Sequence, residues 1–277
     1  KQCALPVTSD ARACLEELFS LLAGFRVAEE YIKRAVEANK NWDKQVSEFF
    51  KVSGSLPVTQ AEVIGAVNGF AGPRDVVLCA AGSLPGDLHK LWRTTDPKGF
   101  HLEYGYSTMG YECAAGIGAK MACPDREIYV MVGDGNYLMM NNEIVTAIQE
   151  GIKYTIILLN NNGFGSIGGL SQSIGSERFG TKYRYRDEKT GLLTGDKLPV
   201  NFAQNARSLG AYVIEATDID SLKKALAEAK EQTVTTVITI ETDLYKGIPG
   251  YAWWEVPVAE VSSIDTVKEA YQNYLEN

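Results

Sequence analysis

Apolar positions fall into two patterns along the chain: short unbroken runs and spaced sets. The unbroken runs are Asp75 to Ala81 (DVVLCAA), Ile128 to Val132 (IYVMV), Tyr154 to Leu159 (YTIILL), Ala211 to Glu215 and Thr235 to Glu241. Each is bounded by glycine or polar residues, so each predicts a strand, and Asp75 to Ala81 a buried one. The spaced sets predict helices. Gln60 to Phe70 places Ile64, Val67 and Phe70 on one face, with Thr59 as its cap. Met109-Gly110-Tyr111 opens a helix whose small face is Ala114, Ala115, Gly118 and Ala119. A helix after Gly135 turns Leu138, Met139, Ile144, Val145 and Ile148 inward. Asn201 to Leu209, Ser221 to Lys230 and Ile264 to Leu275 follow, the last with Val267, Ala270, Tyr271 and Tyr274 on one side. Alternating strands and helices predict an α/β three-layer sandwich with a mainly parallel sheet. In such sheets ligands bind outside the carboxyl ends of the strands.

Upstream the pattern is poorer. Residues 1–22 read as a short strand, an Asp10 cap and an amphipathic helix carrying Ala13, Leu15, Leu18, Phe19 and Leu22, too little for a domain. Residues 23–55 read as a charged helical connector, with Tyr31, Ile32, Val36 and Trp42 along it, or as a peripheral helix of a single domain. That leaves residues 56–277 as the α/β domain. Between Phe164 and Pro199 the chain is polar and glycine-rich without periodicity, which predicts a lid over a neighbouring site. Its Arg178, Lys182, Arg184 and Arg186 face either an anionic group or solvent. The aromatic stretch Gly250 to Glu255 predicts an interface with another domain or subunit, or else a substrate wall.

Composition removes several function classes. Apolar content is 45% and charged content 22%, values of an ordinary globular chain. A net charge of −8 argues against a nucleic-acid surface. No run of about 18 apolar residues and no signal-peptide pattern occurs, so no membrane partner is expected. The five cysteines, Cys3, Cys14, Cys79, Cys113 and Cys123, have no CxxC spacing. They read as reduced thiols of a cytoplasmic protein, not as zinc ligands.

The chemistry concentrates at two strand ends. Ile128 to Val132 runs into Gly133-Asp134-Gly135-Asn136, and Tyr154 to Leu159 into Asn160-Asn161-Asn162-Gly163. Gly135 and Asn136 open a helix, whose free N–H groups and dipole favour phosphate. Asp134 and the asparagines add oxygen ligands without sulfur or imidazole, a set suited to Mg²⁺ or Ca²⁺ beside a phosphate. A third strand end, Gly82-Ser83-Leu84-Pro85-Gly86-Asp87, offers further backbone donors.

Gly-Asp-Gly followed by paired asparagines at the next strand end resembles the fingerprint of the thiamine-diphosphate enzymes. The second asparagine lies 27 residues after the aspartate. The resemblance implies thiamine diphosphate and Mg²⁺ as cofactors, with Asp134, Asn161 and the Gly163 carbonyl as metal ligands. It implies cofactor contacts at Gly82, Ser83, Leu84, Ser107, Met109, Gly133, Asp134, Gly135, Asn136, Asn161, Gly163 and Phe164. Ser83 and Leu84 stand where the superfamily often has glutamine and histidine, which removes side-chain donors. Met109 corresponds to the large apolar wedge that holds the cofactor bent, the one catalytic role assigned to this chain. Backbone groups at Ser107 and Met109 would meet the pyrimidine edge.

The wider words CAAGSLPGDLHKLW, HLEYGYSTMGYE, PDREIYVMVGDGNYLM and GYAWWEVPVAEVS resemble the trihydroxycyclohexane-1,2-dione hydrolases of myo-inositol breakdown. That family implies hydrolysis of a C–C bond between adjacent carbonyls in a six-membered polyol ring, giving 5-deoxyglucuronate. Asp87, His89, His101, Glu103 and Tyr104 are candidate partners of the polyol dione. Residues 1–22 resemble the end of a preceding central domain. The catalytic glutamate of the superfamily lies on a separate pyrimidine-binding domain, expected from the rest of a longer protein or from a partner subunit. The isolated chain is therefore expected to be nearly inactive and the complete protein a homo-oligomer. Other thiamine-diphosphate enzymes of acetohydroxyacid synthase or 2-oxoacid decarboxylase type, and a non-catalytic cofactor-binding module, are the alternatives. A nicotinamide enzyme fits poorly, because the third glycine of a dinucleotide turn is missing.

Overall fold

The structure, a computed structural model, describes residues 5–250 and 256–276. The aromatic stretch from Tyr251 to Glu255 and Cys3 lie outside the described residues. The chain forms two compact units, Lys1–Glu48 and Phe49–Asn277. In the first, Asp10 accepts a hydrogen bond from Ala13 N and caps α1 (Ala11–Leu21). Residues 5–10 form no strand. The long helix α2 (Glu29–Phe49) runs to the boundary between the units.

The second unit opens with α3 (Gln60–Phe70), held by a reciprocal capping box between Thr59 and Glu62. Then follow β1 (Val76–Cys79), α4 (Ser83–Leu91), β2 (Phe100–Leu102), α5 (Tyr111–Ala122), β3 (Ile128–Gly133), α6 (Asp134–Met140), α7 (Glu143–Gln149) and β4 (Thr155–Asn160). The chain ends with α8 (Gly165–Ser173), α9 (Phe202–Ser208), β5 (Tyr212–Ala216), α10 (Ile219–Lys230), β6 (Thr236–Glu241) and α11 (Asp265–Glu276). All six strands are parallel, in the order β2-β1-β3-β4-β6-β5. Helices α3, α4 and α10 cover one face and α5, α6, α7 and α9 the other. This is the expected three-layer sandwich.

The core follows from the unbroken runs. Val130, Met131, Val132, Ile156, Ile157 and Leu158 are fully buried, as central strands between two helical layers must be. Gly116 lets α5 approach the sheet, since a Cβ there would lie 2.5 Å from the Tyr154 ring. The face of α5 that packs is therefore Cys113, Gly116 and Ile117, with Ala115 and Ala119 beside them; Gly118, expected on it, faces open space.

Three expectations need correction. The helix after Gly135 is two short helices, broken at Asn141-Asn142, and only Ile144 and Ile148 pack inward. Leu138, Met139 and Val145 are 42%, 52% and 47% exposed, because α6 buries its first residues, Asp134 to Tyr137, and α7 buries Ile144 and Ala147 instead. The turn from Gly82 to Asp87 is the start of α4. Pro85 is tolerated there because first-turn N–H groups have no intrahelical partner. The segment from Phe164 to Pro199 is not a structureless loop: it contains α8, and Lys182 and Arg184 form isolated bridges with Gly163 and Lys197.

Candidate functional site

Strand order reverses between β1 and β3, since β2 lies on one side of β1 and every later strand on the other. That switch point is where an α/β sheet opens a crevice at its carboxyl edge. A cavity of about 290 Å³ occupies it. Its wall includes Gly82, Ser83 and Leu84 after β1, Ser107 and Met109 before α5, and Gly133, Asp134, Gly135 and Asn136 after β3. Asn161, Gly163 and Phe164 complete it after β4. All twelve residues singled out above as cofactor contacts line this one space.

The three consecutive asparagines do different jobs. Asn160 Oδ1 accepts from Asn162 N at 3.1 Å, an Asx turn that ends the strand, and Asn162 takes the left-handed conformation at φ 58°. Asparagine adopts that region more readily than most residues. Asn161, between them, lines the cavity, and its Oδ1 is buried with no hydrogen-bond partner. Buried polar atoms are nearly always paired, so this oxygen is held ready for something absent from the chain itself.

Asp134 is its counterpart. It is 1% exposed, accepts from Gly135 N at 2.7 Å and Gly163 N at 3.2 Å, and faces no cation among the described residues. Burial pushes its carboxyl up to about 6, against the lowering pull of N–H groups at Gly135, Gly163, Asn162 and Asn161. Gly163 is required at its place because a Cβ would collide with the Thr181 carbonyl. One carboxylate, one amide oxygen and the Gly163 carbonyl make an all-oxygen set. It fits a hard divalent cation that completes its shell with phosphate and water. Among the described residues no group of three His, Cys, Asp or Glu side chains offers an alternative metal site.

Of the candidate polyol partners, only Tyr104 lines the cavity, braced on His89 with ring centroids 5.7 Å apart. Glu103 accepts from Tyr106 N and Thr108 N at 2.9 and 2.7 Å, which pins Ser107 at φ 52° and lowers the Glu103 carboxyl. His101 stacks on Tyr111. Asp87 is buried and accepts from Gln60 Nε2 at 2.7 Å. Lys182 and Arg184 line a separate cavity of about 190 Å³ with Lys197, and Arg178 sits over the Tyr245 ring. Arg186 is exposed and bonds the Gly191 carbonyl.

Sequence reasoning missed three residues. Gln60 lines the cavity from the first turn of α3. Tyr183, edge-on to Phe164, has a buried hydroxyl without a partner, and burial together with the Asp134 charge raises its ionisation. Glu112 is fully buried beneath the cavity, and burial raises its carboxyl as well. An acid in the buried register of an otherwise small, apolar helix face was the available signal for Glu112. It reads equally well as an ordinary first-turn acid favoured by the helix dipole.

Comparisons with known proteins give the family and the fold. Residues 80–240 match the model of the thiamine pyrophosphate enzyme, C-terminal TPP binding domain. The chain is 40% identical over 270 residues to 3D-(3,5/4)-trihydroxycyclohexane-1,2-dione hydrolase 1 of Bacillus cereus, covering 97% of this chain and 42% of that protein. It is 39% identical over 302 residues to the hydrolase of the same name from Clostridium perfringens, covering 100% and 47%. The chain thus spans less than half the length of these relatives. Among solved structures, the thiamine diphosphate-dependent 4-hydroxybenzoylformate decarboxylase of Rhodococcus jostii RHA1 superposes with a TM-score of 0.56 at 20% identity, over 67% of this chain and 32% of that one, a likeness of fold. A crevice at the switch point, an aspartate and an unpartnered asparagine oxygen on its rim, and a family match across both strand ends place this chain in the family of thiamine pyrophosphate enzyme C-terminal TPP-binding domains.

Proposed function

We propose that this chain is the diphosphate-binding half of a thiamine-diphosphate-dependent hydrolase. Its reaction is ring opening of 3D-(3,5/4)-trihydroxycyclohexane-1,2-dione to 5-deoxyglucuronate, a step of myo-inositol catabolism in the cytoplasm. The observation that carries the substrate assignment is the 40% identity, across 97% of the chain, to a protein bearing that hydrolase's name. Asp134, Asn161 and the Gly163 carbonyl hold Mg²⁺, and the orphaned Asn161 oxygen is the feature that supports this. N–H groups at the starts of α4 and α6, at Gly82, Ser83 and Asn136, receive the diphosphate, while the Gly135 N–H stays on Asp134 and the missing side chain of Gly135 leaves room for the ligand. Ser107 and Met109 position the rest of the cofactor, Met109 as an apolar prop. When bound, thiamine diphosphate supplies the electron sink for C–C cleavage. Tyr104 offers a hydroxyl to the polyol.

Residues 56–277 constitute this half, residues 23–55 connect to it and residues 1–22 are the end of a preceding central domain. The pyrimidine-binding domain comes from elsewhere in the longer protein or from a partner subunit, and the working assembly is a homo-oligomer. The chain alone binds Mg²⁺ and cofactor weakly and turns over little. Two measurements test this. Supplying the pyrimidine-binding domain of a relative should restore ring opening of the dione; no opening in a complex that binds the cofactor would refute the substrate assignment. Exchange of the cofactor's C2 proton at full rate by the isolated chain would refute the division of labour.

A further inference from the structure

A carboxylate that never reaches the cavity connects three parts of its wall. Glu112 Oε1 accepts from Ala81 N at 3.2 Å and from Asn136 Nδ2 at 2.6 Å, and Oε2 accepts from Gly110 N at 3.1 Å. Ala81 precedes Gly82, Gly110 follows Met109, and Asn136 lies two residues beyond Asp134. The same Asn136 Nδ2 also donates to the Ala81 carbonyl at 2.9 Å. Both amide hydrogens of Asn136 are thus spent inside the protein, which fixes the amide and leaves its oxygen for a ligand.

Packing alone does not call for such a group. A buried carboxylate without a cation carries a desolvation cost, offset here by three N–H donors and the N-terminus of α5. An apolar side chain would fill the space without that cost. Gly110 adopts φ 91°, a conformation its neighbours must hold, and the Glu112 carboxylate receives its N–H.

We propose that Glu112 is a positioning residue: it holds the Met109-Gly110 turn and locks Asn136 so that its carbonyl oxygen accepts an O–H or N–H donor of the bound cofactor assembly. This rests on reading the cavity as a thiamine-diphosphate site. Four forms of the chain test it by NMR titration with thiamine diphosphate and Mg²⁺: parent, Glu112→Gln, Asn136→Ala and the double variant. Glutamine keeps the shape but turns an NH₂ toward one of the three donors.

Each single substitution should weaken binding about tenfold, and the double variant by clearly less than the product of the two losses, because both break the Glu112–Asn136 linkage. Parent-like binding by Glu112→Gln, or losses that multiply in the double variant, would overturn the proposal. Should Glu112→Gln not fold, Glu112→Asp, which keeps the charge but shortens its reach, carries the same expectation. Hydrogen exchange of the Asn136 side-chain amide in the parent decides independently of any ligand. Slow exchange is expected, and free exchange overturns the lock. If the parent binds no thiamine diphosphate, the functional reading fails, while amide exchange still tests the Glu112 linkage.

Discussion

Two crevices open along the same carboxyl edge of the sheet, and the larger one is the less interesting. The cavity at the tips of β4, β6 and β5 measures about 500 Å³ and is lined by Asn160, Asn201, Glu215 and Glu241 among others. Three of its polar side chains are occupied within the protein. Asn160 closes an Asx turn, Asn201 caps α9 by accepting from Gln204 N, and Glu215 pairs with Arg207 at 2.7 Å. The smaller cavity at the tips of β1, β3 and β4 holds a buried carboxylate without a cation and a buried amide oxygen without a donor. Size does not separate the two; unspent polar capacity does. A protein tolerates the cost of such groups where a ligand is to offset it.

The largest effect expected from this contrast is on ligand binding. In complex with the pyrimidine-binding domain of a relative, Asp134→Ala should weaken Mg²⁺-dependent binding of thiamine diphosphate by more than about a hundredfold in calorimetry, because the one carboxylate of the proposed metal set is lost. Glu215→Gln, in the other crevice, should leave it within about twofold. Equal losses in both would erase the distinction between them.

A second test sharpens the geometry of the smaller site. Gly163→Ala forces a methyl group into the Thr181 carbonyl, whereas at Gly133 an added Cβ meets nothing within 4 Å. The first should cost roughly 2 kcal/mol and lower the melting temperature by about 4–8 °C. The second should stay within about 0.5 kcal/mol. Calorimetric melting of both variants without ligand checks this.

These tests bear on residues that differed in how legible they were. β3 and β4 could be read because strands buried on both faces must be apolar throughout, and Asp134 and Asn161 could be read because they interrupt that pattern at its ends. Leu138, Met139 and Val145 misled for the same reason. Periodicity finds an apolar stripe but does not say whether the protein's own core or something outside it covers the stripe. Helix α8 was hidden by its composition, GSIGGLSQS, whose glycines and serines have poor helix propensity and are held by tertiary context. Glu112 was hidden by position, and Gln60 and Tyr183 reach the site from segments with no local signal of it.

A smaller effect concerns pH. In the ligand-free chain Asp134 has a carboxyl raised to about 6 against an ordinary 3.8, so the folded state binds its proton more tightly than the unfolded one. Stability therefore falls as pH rises through this window, and the cost is fully present above it. Asp134→Asn removes that charge but turns an NH₂ toward one of two backbone donors, which returns part of the gain. A net rise of roughly 1 kcal/mol, about 2–4 °C in melting temperature, is expected at pH 8 and none at pH 5. The variant would be more stable and unable to hold the metal. A gain of equal size at both pH values would show that ionisation is not the cause.

The smallest effect belongs to the occupied crevice. Arg207 and Glu215 join α9 to β5 through one short ion pair, but their side chains are 48% and 57% exposed. Water screens both charges, and ordering two side chains costs entropy, so such pairs contribute about 0–1 kcal/mol. Arg207→Ala should lower the melting temperature by no more than about 2 °C, less still in 0.5 M salt, and leave thiamine diphosphate binding unchanged. A loss of binding on that substitution would mean that the two crevices are mechanically linked through β4 and β6. The separation drawn between an occupied edge and a waiting one would then have to be abandoned.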